Sequence, residues 1–210
     1  MHIIRAASED EMISVFLSGE YTSVRFGDQV RAALEKCRVD DTVIIKPNLL
    51  DRGENDLRRR LIKEARGYGS GKSWFAGMPK NIQWYWAEFS REELPNIRYI
   101  VYSYWIELTK GTLRAGDAVK TIESGKEIYG VSNEPFLKLS EAIADGQTFP
   151  PMIFVGTSES DLVVLEGHAR LTGYLLAGEK APAKLEAVVG LAPNFTNWKM
   201  YSYAAYDQHR

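Results

Sequence analysis

The sequence predicts a mixed α/β protein, and three observations lead there. Apolar residues recur three and four positions apart in several segments that stop at a glycine, the pattern of short helices. The runs Met152-Ile153-Phe154-Val155, Leu162-Val163-Val164-Leu165 and Leu185-Glu186-Ala187-Val188-Val189 are bounded by turn residues, the pattern of strands. In the last third of the chain these elements follow one another as helix, strand, strand, helix, strand, which suits a small mixed sheet with helices packed on it. With 210 residues, 45% of them apolar and 26% charged, the chain is long enough for a real core and is not a disordered composition. The expected organisation is a mostly helical, aromatic-rich region over residues 1–125 and an α/β unit over 126–210, or one compact domain containing both.

In chain order, Ser8-Glu9-Asp10-Glu11 is a capping box, and Met12, Val15, Phe16 and Leu17 suit a short helix ending at Gly19. A second helix is expected from Asp28 to about Cys37, and Thr42-Val43-Ile44-Ile45 reads as a strand closed by Lys46-Pro47-Asn48. Glu54 to Arg66 is a charged helix capped by Gly67. The middle is aromatic, from Trp84, Tyr85, Trp86 and Phe89 to Tyr99, Tyr102, Tyr104 and Trp105. Pro95 suits the first turn of a helix reaching about Lys110, with Gly111 as its stop. The aromatic residues of that helix are read as core, with a stacking platform for a base as the alternative. Ala115 to Glu123, ended by Gly125, is a further helix. Asn133 to Asp145 is an amphipathic helix ended by Gly146, and His168 to Ala177 is a helix stopped by Gly178. Asn197-Trp198 is read as packing.

Charge and cysteine content remove several functions. The net charge is -2, and the split is about even, with +1 for residues 1–125 and -3 for residues 126–210. Broad electrostatic attraction to nucleic acid or anionic lipid is not expected from that balance. A local basic patch around Arg58-Arg59-Arg60, Lys63 and Arg66 stays open. A single cysteine, Cys37, and three histidines, two of them near the termini, argue against a disulfide framework or a His/Cys metal cluster. The N-terminal residues lack a signal-peptide core, and no apolar stretch reaches membrane-spanning length. A cytoplasmic protein with no membrane partner is expected.

Gly67-Tyr68-Gly69-Ser70-Gly71-Lys72-Ser73 imitates a phosphate-binding P-loop, but Arg66 stands where the first glycine is needed, and a charged helix precedes it instead of a strand. The segment is better read as a loop, with Lys72 as its one useful side chain for a ligand. The stronger candidate is Glu166-Gly167-His168-Ala169-Arg170, between a strand and a helix. A helix start offers unpaired N–H groups and partial positive charge to an anion. Gly167 lets a phosphate approach the backbone. Arg170 can form two parallel hydrogen bonds to phosphate oxygens, His168 can donate one and titrate near neutrality, and Glu166 can hold magnesium through water or act as a base. Against this stands the bland alternative that His168 and Arg170 only solvate a helix start. Thr112 and Arg114, after Gly111, are candidate substrate contacts, with a helix end and turn as the alternative.

The run from Ala142 to Val189 resembles the ParB N-terminal and sulfiredoxin-like superfamily. The resemblance lies in Ile143-Ala144-Asp145-Gly146, the proline-led Pro150-Pro151-Met152-Ile153-Phe154-Val155, the stretch Val163-Val164-Leu165-Glu166-Gly167-His168-Ala169-Arg170-Leu171, and Leu176-Ala177-Gly178. It implies a sulfiredoxin/ParB-like α/β (α+β) unit and nucleotide chemistry. ParB-type members bind and hydrolyse CTP, sulfiredoxins use ATP to phosphorylate a sulfinic acid, and free-serine kinases pass phosphate from a nucleotide to a hydroxyl. The turn is closest to that of the kinases. By resemblance, Pro151, Gly167, His168, Ala169 and Arg170 would meet ATP, ADP or CTP with magnesium, Glu166 would serve metal or proton, and the acceptor would be a small molecule or a protein. The sulfiredoxin cysteine is missing from the turn, so sulfinic reduction is not expected. The ParB double arginine is replaced by His168-Ala169, and too few residues follow Gly190 for a helix-turn-helix, so chromosome partition is not expected either. The expectation is therefore a nucleotide-dependent phosphotransferase or nucleotide hydrolase. The alternative is a non-enzymatic nucleotide- or DNA-linked regulatory module, and nuclease activity ranks last.

Overall fold

Strands that carry several consecutive apolar residues must be covered on both faces, because successive side chains point to opposite sides. Strands β3 (Met152–Ser158) and β4 (Asp161–Glu166) are of this kind. Ile153, Val155, Val163 and Leu165 enter one core, while Met152, Phe154, Leu162 and Val164 enter a second. In the computed structural model, which describes residues 1–70 and 73–204, two layers of helices supply that cover. Helices α1 (Glu9–Tyr21), α2 (Gly27–Cys37), α3 (Thr42–Ile45) and α4 (Arg52–Arg66) bury Met12, Phe16, Val30, Ile44 and Leu61 on one face. On the other, α5 (Ser103–Leu108), α6 (Ala115–Glu123), α7 (Glu134–Ala144) and α8 (His168–Ala177) bury Leu108, Ile122, Ile143 and Leu171.

The sheet between them has five strands in the order β1-β2-β5-β3-β4, with β1 at His2–Ala7, β2 at Gln83–Ser90 and β5 at Lys184–Leu191. Strands β3 and β5 are parallel and the other neighbours antiparallel. The mixed α/β class expected from the sequence is the class observed. The sheet is continuous across the chain, because β2 pairs with β5 from Gln83↔Leu191 to Ser90↔Lys184. Strands β1 and β2 were not expected. In β1, Ile4 is exposed at a strand edge, so the local pattern lacks the alternation that marks a strand.

Several local readings hold. Ser8 and Glu11 form the reciprocal capping box of α1, and Asp51 caps α4 by accepting from Gly53 N and Glu54 N. Gly67, Gly125 and Gly146 adopt positive φ at helix ends. Trp198 is fully buried and its Nε1 donates to Trp74 O at 2.9 Å. Others are corrected. Thr42–Ile45 is a short helix, not a strand; a four-residue apolar run has no periodicity that separates the two. The expected helix from Pro95 to Lys110 is confined to one 3₁₀ turn at Leu94–Asn96 and to α5. Between them the backbone lies along β4, with Arg98 N donating to Leu162 O at 2.9 Å and Val164 N to Arg98 O at 2.8 Å. That pairing satisfies the outer edge of β4, which helix would have left open. Two members of the basic patch around residues 58–66 are engaged within the fold: Arg58 is fully buried, donating to Val43 O and Asn48 O, and Arg59 pairs with Asp10 and Asp56. The exposed Arg60 and Lys63 line a surface groove with Lys36 and Glu64.

Candidate functional site: the start of α8

β4 ends at Glu166, Gly167 turns the chain, and α8 begins at His168. Gly167 sits in the left-handed region at φ +98, and a Cβ there would lie 2.7 Å from Met152 Cγ, so backbone and packing both require glycine. Glycine also supplies no side-chain cap to α8, which leaves its first-turn N–H groups without the usual side-chain acceptor. Ala169, on that turn, is exposed.

The charged side chains of the turn face inward. Arg170 Nη2 pairs with the Glu166 carboxylate, four residues back at the end of β4, and both side chains are 10% exposed. Arg170 Nη1 donates to Pro150 O, and to Pro151 O at 2.9 Å. Helix α1 crosses so closely that a Cβ on Gly19 would lie 2.7 Å from Arg170 Nη2 and 2.9 Å from Glu166 Oε2. Gly19 is therefore inside α1 rather than its stop, and its missing side chain is what lets α1 cover the pair. Burial pushes the Glu166 carboxyl above its ordinary range while Arg170 pulls against that. The geometry commits Arg170 to Glu166 and two carbonyls, not to a ligand. Glu166 likewise does not fit a magnesium ligand in this arrangement, and among the described residues no group of three His, Cys, Asp or Glu side chains is placed to hold a metal.

His168 stacks on Trp105, centroids 5.4 Å apart, and Trp105 stacks on the fully buried Tyr99 at 4.1 Å. The Tyr99 hydroxyl shares a 2.6 Å hydrogen bond with Thr172 Oγ1 of α8. Tyr99 and Trp105 thus stack on each other and on His168, and they fix α8 against the segment that edges β4. Burial is the main cause, with Arg25, Arg66 and Arg170 adding to it, that brings the His168 pKa down to about 3. The imidazole is neutral at physiological pH, in contrast to the titration near neutrality expected from its type alone, and its buried Nε2 lacks a hydrogen-bond partner among the described residues.

The other candidates lie elsewhere. Thr112 Oγ1 donates to Asp117 at 2.8 Å and accepts from Arg114 N at 3.2 Å, a local turn ahead of α6. Arg114 lines a groove of about 600 Å³ with Arg98, Glu159 and Asp161, and no residue of 166–170 lines it. Lys72 lies outside the described residues. Two residues near the turn were not expected there: Glu20 in the last turn of α1, which carried no local sequence signal, and Arg66 in the last turn of α4, which the sequence marked only as part of a basic run. Only packing brings these helix ends to α8. No family model matches the chain, and no match is found among curated proteins or solved structures.

Proposed function

We propose that the chain binds a nucleotide through its phosphates at the start of α8 and acts as a nucleotide-dependent phosphotransferase or nucleotide hydrolase. The observation that carries the binding step is the uncapped start of α8 behind a left-handed Gly167, in the field of Arg25, Arg66 and Arg170. N–H groups and positive potential at a helix start are what a phosphate needs. The pairing of Glu166 with Arg170 neutralises the one carboxylate of the turn, so it does not repel the anion. The transfer step and the choice of ATP, ADP or CTP follow from the resemblance of the Glu-Gly-His-x-Arg turn to free-serine kinases and their relatives. Magnesium would arrive with the nucleotide and supply charge neutralisation at its phosphates.

The same pairing favours a second reading, a non-catalytic nucleotide-binding module, because it occupies both groups that would serve as acid, base or charge stabiliser. Titration calorimetry with ATP, CTP and ADP, with and without magnesium, tests binding, and release of ADP or CDP separates the two readings. Ala169→Glu is the informative variant. A carboxylate in the first turn favours the helix by about 0.3–1 kcal/mol, so the fold is retained, while it repels phosphate. The expected result is unchanged or slightly higher thermal stability with at least about tenfold weaker nucleotide binding. Absence of binding to every nucleotide rejects the function.

A further inference from the structure

Arg66 carries an anomaly that the turn alone does not explain. It closes α4 with its side chain 13% exposed, and its buried Nε has no hydrogen-bond partner among the described residues. Its Cζ lies 3.8 Å from the Phe26 ring centroid, a cation–π contact that holds the guanidinium in place without using its donors. Glu20 Oε2 faces Arg66 Nε at 3.7 Å, beyond hydrogen-bond range, with the Glu20 side chain 6% exposed and that oxygen likewise unpartnered. Arg66 Nε and Glu20 Oε2 thus stand at ion-pair distance with no hydrogen bond to either atom among the described residues, and buried polar atoms in folded proteins rarely go without one. Arg66 is near enough to the turn to act electrostatically on Glu166 and His168.

We propose that Arg66 is the guanidinium that grips the terminal phosphate of the nucleotide at α8, and that Glu20 is its internal counter-ion, set aside by protonation when phosphate binds. This rests on the nucleotide reading of the α8 turn. Arg66 takes the part that residue type suggested for Arg170, whose Nη1 and Nη2 are turned to Pro150 O, Pro151 O and Glu166. Ionised Glu20 competes with phosphate for Arg66; protonated Glu20 no longer does, and its O–H can donate to the same phosphate oxygen. Where Glu20 is ionised, binding therefore takes up a proton from solvent on a Glu20 oxygen; where it is already protonated, none is taken up. The groups that face Glu20 are Arg66 of α4, Glu166 of β4, Arg170 of α8 and Arg25 of the loop after α1. Burial raises its pKa to about 7, with Glu166 adding to the rise and the arginines opposing it, so the exchange falls within the physiological range.

The test is calorimetric titration with ATP and magnesium, from about pH 6 to about pH 8, of the parent chain, Glu20→Gln and Arg66→Lys, with thermal denaturation as the check on folding. The ratio of Glu20→Gln to parent affinity cancels the titration of the nucleotide itself. That ratio is expected near one at about pH 6, rising to about tenfold at about pH 8 as the parent's Glu20 ionises. Arg66→Lys keeps the charge beside Glu20 but loses the planar donor pair, and about tenfold weaker binding is expected throughout. A parent that binds, with both variants indistinguishable from it at every pH, overturns the inference and leaves the nucleotide reading standing. A parent that binds no nucleotide overturns both. Should Arg66→Lys fail to fold, a flat Glu20→Gln ratio overturns the inference alone.

Discussion

At the residue scale, the turn shows how one side chain's partners decide its role. Arg170 carries the residue type of a phosphate ligand, yet its guanidinium fastens Glu166 at the end of β4 to the carbonyls of Pro150 and Pro151 ahead of β3. Removing one partner of such a buried pair leaves an uncompensated charge, at a cost of about 3–5 kcal/mol, whereas removing both costs less. Arg170→Ala is therefore expected to lower stability by about that much, and Glu166→Gln combined with Arg170→Met to recover a substantial part of it. Urea denaturation of the single and double variants checks this; additive losses would show the two residues to be uncoupled.

At the scale of elements, the covering of β4 explains why the aromatic middle is not one long helix. Residues 97–101 hydrogen-bond to β4 on one side and to Leu113 and Met200 on the other. The hairpin joining β3 to β4 is locked by the tail of the chain: the Tyr201 hydroxyl accepts from Thr157 N at 3.0 Å and donates to Asp161 Oδ2 at 2.7 Å. Asp161 in turn pairs with Arg98 at 2.6 Å. Burial pushes its carboxyl up, but the Tyr201 hydrogen bond and then Arg98 and Thr157 outweigh that and hold it below its ordinary range. Tyr201→Phe leaves the Thr157 N–H without its acceptor, and a loss of about 1–3 kcal/mol is expected. Amide exchange at Thr157 should quicken selectively; unchanged exchange there would show that the hydroxyl does not hold the hairpin.

At the scale of the whole molecule, the start of α8 is the place where both helical layers meet the end of the sheet, and titrating groups are buried there. Glu20 has a folded pKa near 7, raised from the ordinary 4.5. Its stabilising share is complete below the unfolded value and is lost as pH rises through about 7, amounting to up to about 3 kcal/mol. His168 has a folded pKa near 3, lowered from 6.5, so its share is complete above the unfolded value and is lost as pH falls toward about 3. Stability should therefore decline on both sides of mildly acidic pH. Glu20→Gln should flatten the alkaline decline and leave the acid one in place, as read from urea denaturation across pH. An alkaline limb identical in parent and variant would remove Glu20 as its source.

The sequence by itself determined the elements whose causes are local. The capping box at Ser8, the glycine stops after α4, α6 and α7, and the doubly apolar runs of β3, β4 and β5 need only neighbouring residues to specify them. It also determined the turn Glu166-Gly167-His168, because a glycine forced between a buried strand and a helix is visible in the chain. Tertiary structure alone decided which charges face one another there. Glu20, Arg66 and Arg170 lie on three helices far apart in sequence, and the fields and burial that set their partners exist only once those helices pack. It also decided that residues 97–101 pair with β4, that Thr42–Ile45 is helical, and that β1 is a strand at all, since a short apolar run or an exposed edge strand takes its conformation from whichever backbone groups are left to bond with.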